Sequence, residues 1–242
     1  MSADSQLIQP ATGKVNVTEL CIRAEALRDR LIDEQIHLQV DYPHWRLGCD
    51  ARLTSFTKLQ NVLGSFQLGC FFWASDLLSP DWWNKFTYTE RDQSTYRSEF
   101  QVFLKLGLVH LSFSAVESSL RIFMRAIDSS VHAGSTLDFK RVYDDLLLRR
   151  LSTPMPAYVE LLDMASRLRN TVHNNGVYFH KSGKNVDQPY KGRLYRFTCG
   201  KPIEFGGWSL LLETLSDLTS MLVDIVRDPK IAGITVEILD PG

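Results

Sequence analysis

The stretch from Ser94 to about Asp128 constrains this chain most. Its middle, VFLKLGLVHLSFSAVESSLRIFMRAI, is apolar on most sides of a helical wheel through Ser114. A helix that is hydrophobic all round is a central one, enclosed by others. The chain is therefore expected to be a bundle assembled around it. Within that stretch His110 reads as a core histidine bonded to a backbone carbonyl. Glu117 and Arg121, four apart, either pair along the helix surface or point toward a neighbouring helix.

The flanking segments support a mainly α fold. Residues 1 to about 15 are small and polar, with Pro10 and Gly13, and read as frayed. From Val17 to about Val40, Leu20, Ala24, Leu27 and Leu31 alternate with charges as in an amphipathic helix. Asp41-Tyr-Pro-His-Trp45 breaks it, because the residue before proline avoids the helical region. A second helix is expected from about Asp50, its cap, to Leu78, burying Phe56, Leu59, Leu63, Phe66, Cys70 and Trp73. Pro80 ends it. In the aromatic stretch that follows, Trp82 and Trp83 either present a partner surface or, as such residues more often do, close over the core. After the central helix, residues 132–136 read as a loop and Leu137 to Leu151 as another helix, broken by Pro154 and Pro156. A final helix runs from Gly207-Trp208 to about Arg227, with Leu211, Leu215, Leu218, Leu222 and Ile225 as its stripe, stopped by Asp228-Pro229.

The most specific stretch is Leu161 to Gly176, LLDMASRLRNTVHNNG. Leu161, Met164, Ala165, Leu168 and Val172 recur at helical spacing. Asn175-Gly176 is a stop, since both residues tolerate the left-handed backbone that closes a last turn. Arg169, Asn170 and His173 then share one face, with His173 at the negative end of the helix dipole. A guanidinium, an amide and an imidazole held together can do acid–base work on a phosphodiester. The same three can also simply satisfy the last carbonyls of the helix.

Beyond Gly176 the periodicity changes. Residues 177–180 and 193–198 are short aromatic or β-branched runs. They are separated by KSGKNVDQPYKG, so a β-hairpin with a long tip is expected at about 177–205, with a third short strand at 202–205. The only plausible seam is the loop from about Pro80 to Gln93. It would divide an N-terminal helical region (1–93) from a helical domain carrying the hairpin (94–242).

Charge is uneven although the formal net charge is −1. From Lys140 to Lys201 there are twelve lysines and arginines against five acids. Tyr178, Phe179, Tyr190, Tyr195 and Phe197 are interleaved, which suits a surface where cations meet phosphates and rings stack on bases. Arg167, Asn174, Lys181, Lys184, Lys191 and Arg193 are the candidate RNA contacts. Cys21, Cys49, Cys70 and Cys199 lack CxxC spacing, so neither a zinc site nor a disulfide framework is expected. No metal or other cofactor is called for by any motif. No secretory signal is evident, and no uninterrupted apolar run reaches about 18 residues. A cytoplasmic protein with reduced thiols and no membrane span is therefore expected.

The string RLRNTVHNNG resembles the signature of the HEPN superfamily, whose helical bundles carry an arginine, often a following polar residue, and then a histidine on the penultimate core helix. The helix order from about Ser94 to Arg227 also resembles that family; the hairpin and the N-terminal third lie outside the likeness. The resemblance implies a homodimer with the motif helices of two chains meeting across a cleft. It also implies metal-independent RNA cleavage of the kind found in toxin–antitoxin, anti-phage and RNA-processing systems, with an antitoxin or regulatory protein as a further partner. Other members are non-catalytic dimerisation or partner-binding modules. The matching positions are Arg169, Asn170 and His173. The family spacing of four to six residues between arginine and histidine fits Arg167 instead. On an ideal helix Arg169 lies about 40° from His173 and Arg167 about 120°. Geometry within the helix favours Arg169 as the motif arginine, with Arg167 as a phosphate contact.

Overall fold

A computed structural model describes residues 16–131 and 138–240. The expected frayed start and the 132–136 loop lie outside the described residues, as does the expected start of the next helix at Leu137. The fold is mainly α-helical. In chain order the helices are α1 (Val17–Asp41), α2 (Ala51–Phe72), α3 (Pro80–Trp83), α4 (Glu90–Ile127), α5 (Phe139–Asp145), α6 (Pro156–His173), α7 (Trp208–Arg227) and α8 (Pro229–Ala232). Strands β1 (Val177–Tyr178), β2 (Val186–Tyr190), β3 (Arg193–Phe197) and β4 (Lys201–Pro202) lie between α6 and α7. Buried apolar side chains from both ends of the chain join one continuous core.

Local chemistry accounts for most boundaries. Asp50 caps α2 by accepting from the Arg52 amide. After Phe72 the helix widens into a π turn (Trp73–Leu77), so regular α structure ends earlier than the expected Leu78. Pro80 does not only stop a helix; it occupies the first turn of α3, where a missing N–H costs nothing. Trp83 is buried and donates to the Leu77 carbonyl at 2.9 Å, and Trp82 is half-buried against Phe72. Both tryptophans therefore anchor the loop to the core. Thr89 and Asp92 form a reciprocal capping box that starts α4 at Glu90, four residues before the expected Ser94.

Two expectations are corrected. The first concerns α4, which is not enclosed. Its inner residues Leu104, Leu108, Val116, Leu120 and Phe123 are buried, but Val102, Phe103, Leu106 and Leu111 are exposed. Among the described residues it is the one helix long and apolar enough to cross a membrane by length and composition, and only 28% of that window is buried. α2 covers one side of it closely: a Cβ added to Gly69 would stand 2.4 Å from Leu104 Cδ2.

The second concerns the β segment. β3 pairs with β2, not with residues 177–180, in the register Val186↔Phe197 to Tyr190↔Arg193. The tip is two residues long. Lys191 (φ 51°) and Gly192 (φ 70°) both adopt the left-handed backbone of a tight hairpin turn. β1 closes against β4 instead. β2 escapes a hydrophobicity reading because its inner face is polar: buried Gln188 accepts from Arg167, and buried Tyr190 donates to Asp217 at 2.5 Å.

The C-terminal tail is an ordered extension, fastened by one arginine. Arg52 is fully buried beside Asp50, with Nε–Oδ1 at 2.8 Å and Nη2–Oδ2 at 2.6 Å. It also donates to the carbonyls of Ile231, Ile234 and Val236, and its guanidinium lies 4.2 Å from the Trp45 ring centre. The Ala51 amide donates to Ile238, and Lys58 pairs with Asp240 at 2.8 Å. All four cysteines are free thiols, and burial pushes the Cys70 thiol up to about 12.

Candidate functional site

α6 begins at Pro156 and buries Leu161, Leu162, Met164, Ala165 and Leu168. Its end follows the NNG sequence. Asn175 (φ 54°) and Gly176 (φ 82°) turn left-handed, and the Gly176 amide returns to the Thr171 carbonyl at 2.9 Å. The Asn174 side chain donates to the Asn170 carbonyl at 2.7 Å. Asn174 and the Gly176 amide thus take up last-turn carbonyls. The side chains of Arg169, Asn170 and His173 make no hydrogen bond or ion pair with any described residue. They are not spent on closing the helix. Asn170 and His173 are exposed and Arg169 is half-buried.

α4 packs along α6, and two stripes meet at the seam. On α4, His110, Phe113, Glu117 and Arg121 follow at intervals of three or four. On α6 the facing residues run the other way. The His110 and His173 rings lie 6.2 Å apart between centres and within 21° of parallel. Next along the seam, the Arg169 guanidinium stands 5.1 Å from the Phe113 ring centre, a cation–π contact. His110 is not the carbonyl-bonded core histidine expected from its neighbours: its buried Nδ1 has no hydrogen-bond partner among the described residues.

Beside this seam an open groove of about 680 Å³ runs between α4, α5, α6 and the residues after β1. Its cations are Arg121, Lys140, Arg167, Arg169 and Lys181, and its rings are Phe113, Phe139, Tyr143, Tyr178, Phe179 and His180. Glu117 pairs with Arg121 at 2.7 Å, so the two bond along α4 and also face the groove. Asp163 accepts from Tyr143 at 2.5 Å and pairs with Lys140 at 2.8 Å. Burial, then that bond to Asp163, pushes the Tyr143 phenol above its ordinary value. Burial works to lower the Lys140 ammonium, but Asp163 and Asp144 outweigh it and hold it high. Arg167 donates to Gln188 at 2.8 Å and to the Tyr178 hydroxyl at 3.0 Å, both neutral. Arg167, Arg169 and Lys181 form no ion pair among the described residues, so their charge is uncompensated at close range.

The structure thus brings Arg167, Arg169, Asn170 and Lys181 to one groove, with His173 a turn beyond Asn170. It does not bring all the expected RNA contacts there. Lys184 is exposed on the loop before β2 and Arg193 is exposed at the start of β3; neither lines the groove. Lys191, at the hairpin tip, is held by Glu213 and Asp217 on α7. Much of the basic excess is likewise neutralised at home, as Arg150 is by Asp128 and Asp145 and Arg196 by Asp187. The sequence did not mark His110, Phe113, Phe139 or His180 as site residues, His110 reading as part of the core. The signal for the first two was the interval pattern His110–Phe113–Glu117–Arg121, masked by the apolar run around it. Among the described residues no group of three or more His, Cys, Asp or Glu side chains is placed to hold a metal ion. No family model, curated protein or solved structure matches the chain.

Proposed function

We propose that this chain is a metal-independent endoribonuclease of the HEPN type, acting on single-stranded RNA as a homodimer. One observation carries the reading: Arg169 and Asn170, both unbonded, line a groove that offers cations and aromatic rings together, and His173, also unbonded, lies one helical turn beyond Asn170. Arg169 would hold the phosphodiester by paired hydrogen bonds and offset charge developing on its oxygens. His173 would move a proton at the reacting linkage. Arg167 and Lys181 would grip neighbouring phosphates, while Phe179, 58% exposed, offers a face for an unpaired base.

The α4 surface supports the dimer. Tyr96, Phe103 and His110 recur every seven residues, with Phe100 and Gly107 between them, which is the spacing of a helix–helix seam. From Phe100 to Val116 the only charge is Lys105, and burial lowers its ammonium where it rests over the Trp208 ring. Leu68 is 70% exposed and Phe103 65%. With Phe71, Tyr96, Val102, Leu106 and Leu111 these side chains offer roughly 700 Å² per protomer, close to the ~800 Å² that a stable interface uses. The same face favours a second reading, a non-catalytic module that dimerises or binds a partner protein.

Incubation with single-stranded and structured RNA in EDTA, beside His173→Ala and Arg169→Ala, separates the two. Cleavage by the native chain that both substitutions abolish supports the nuclease. Equal cleavage by His173→Ala, or none by the native chain on any RNA, leaves the module. Light scattering of the native chain and Phe103→Glu tests the dimer in either case.

A further inference from the structure

We infer that His110 is the second proton-transfer group of this site, working with His173 of the same chain. The inference rests on the ribonuclease reading. A phosphodiester cleavage by the 2′-hydroxyl needs one group to take a proton and another to give one. His110 is delivered by α4 and His173 by the last turn of α6. Their ring centres are 6.2 Å apart and their planes nearly parallel. A hydrogen bond reaches about 2.6–3.2 Å between heavy atoms and leaves an imidazole in its ring plane, so two nearly parallel rings at this separation can meet two oxygens of one phosphodiester lying across their common edge. His110 is half-buried with an unpartnered Nδ1, which is a poor use of a core residue, because a buried polar atom left unbonded is costly. Arg169, one turn before His173, stands against Phe113, one turn beyond His110, so the guanidinium lies beside the pair.

Neutral His110 accepts the 2′-hydroxyl proton as the 2′-oxygen attacks phosphorus. The bond from phosphorus to the 5′-oxygen breaks, and protonated His173, at the negative end of the α6 dipole, gives its proton to that oxygen. The products are a 2′,3′-cyclic phosphate and a 5′-hydroxyl end, with the proton now on His110.

The test compares the native chain, His110→Asn and His173→Asn on an RNA oligonucleotide. A second oligonucleotide carries sulfur in place of the 5′-bridging oxygen at the cleaved linkage. Thermal melts confirm folding, and His110→Gln replaces His110→Asn if the latter is unfolded. Each substitution is expected to slow cleavage of the ordinary RNA by about 100-fold or more, the usual worth of a general acid or base. A thiolate leaves without being protonated, so the sulfur oligonucleotide should restore His173→Asn and leave His110→Asn slow. Co-expressed His110→Asn and His173→Asn chains should be as inactive as either alone, because each site lacks one ring. A binding readout needs no turnover: adding uridine 2′-monophosphate should move the ring resonances of both histidines. Cleavage by His110→Asn within threefold of the native rate overturns the pair and leaves the nuclease standing. So does recovery of activity in the mixed chains, or movement of the His173 resonance alone. A native chain that cleaves nothing removes the nuclease reading and the pair with it.

Discussion

Replacing Arg52 by alanine should loosen the whole molecule rather than the site. Its guanidinium, itself fully buried, makes two contacts with Asp50 and three with the carbonyls of Ile231, Ile234 and Val236. The substitution leaves Asp50 buried without its counter-charge and three carbonyls short of a donor. Breaking a buried pair from one side costs about 3–5 kcal/mol. With a urea m-value of roughly 3 kcal/mol/M, the unfolding midpoint should fall by roughly 1–1.7 M. The tail at 233–240 should also become the first site of protease cleavage, since only contacts near its far end then hold it: Arg46–Glu237, Ala51–Ile238, Asp240–Cys49, and Thr54 and Lys58 on Asp240. Arg52→Met combined with Asp50→Asn should cost less than the two single changes added, because no unpaired charge remains and asparagine still caps α2. A midpoint shift under 0.3 M for Arg52→Ala at unchanged m would refute the claim that this arginine holds the tail, given the ~3 kcal/mol floor.

Gly69→Ala should destabilise by about 1–3 kcal/mol, as overpacking does, because its Cβ meets Leu104 Cδ2 at 2.4 Å; in Leu104→Ala the same change should cost less, as read by urea unfolding. If RNA binds the groove, Arg169→Ala and Lys181→Ala should each flatten the salt dependence of affinity by about one unit of slope, whereas Lys191→Ala should leave the slope unchanged, its ammonium being held by Glu213 and Asp217. Bonds from Ser130, then the Arg150 guanidinium, hold the Asp128 carboxyl below its ordinary value. Such a group adds stability at neutral pH that is lost as pH falls through its folded value, so Asp128→Asn should flatten the fall of Tm below about pH 4.

Periodicity located the helices because each buries a stripe, and a stripe repeats. It placed their ends less well where hydrogen bonds, not burial, decide them. The Thr89–Asp92 box starts α4 four residues early, and the π turn at Trp73–Leu77 ends α2. The hairpin partner was hidden for a different reason. Strand recognition looks for apolar residues on one face, but the inner face of β2 presents Gln188 and Tyr190, each satisfied by a polar group from a helix far away in sequence. The motif helix and its left-handed stop were legible because NNG needs no tertiary partner to act. His110 was not, since its meaning depends on which turn of α6 lies opposite.

α4 shows why an apolar run does not say how deeply a helix is buried. Composition reports that charge is missing from Phe100 to Val116, but a helix can lack charge because it is enclosed or because its outer face is kept for a contact. The sides are separable only when neighbours are known: α2 closes on Leu104 through Gly69, and α6 closes on His110 and Phe113, leaving Phe103 and Leu106 outside. The exposed stripe then leads, heptad by heptad, to the histidine that faces His173. In the proposed dimer a second chain lying on α4 would cover this uncharged stripe and reach the rim of the groove beside Arg169.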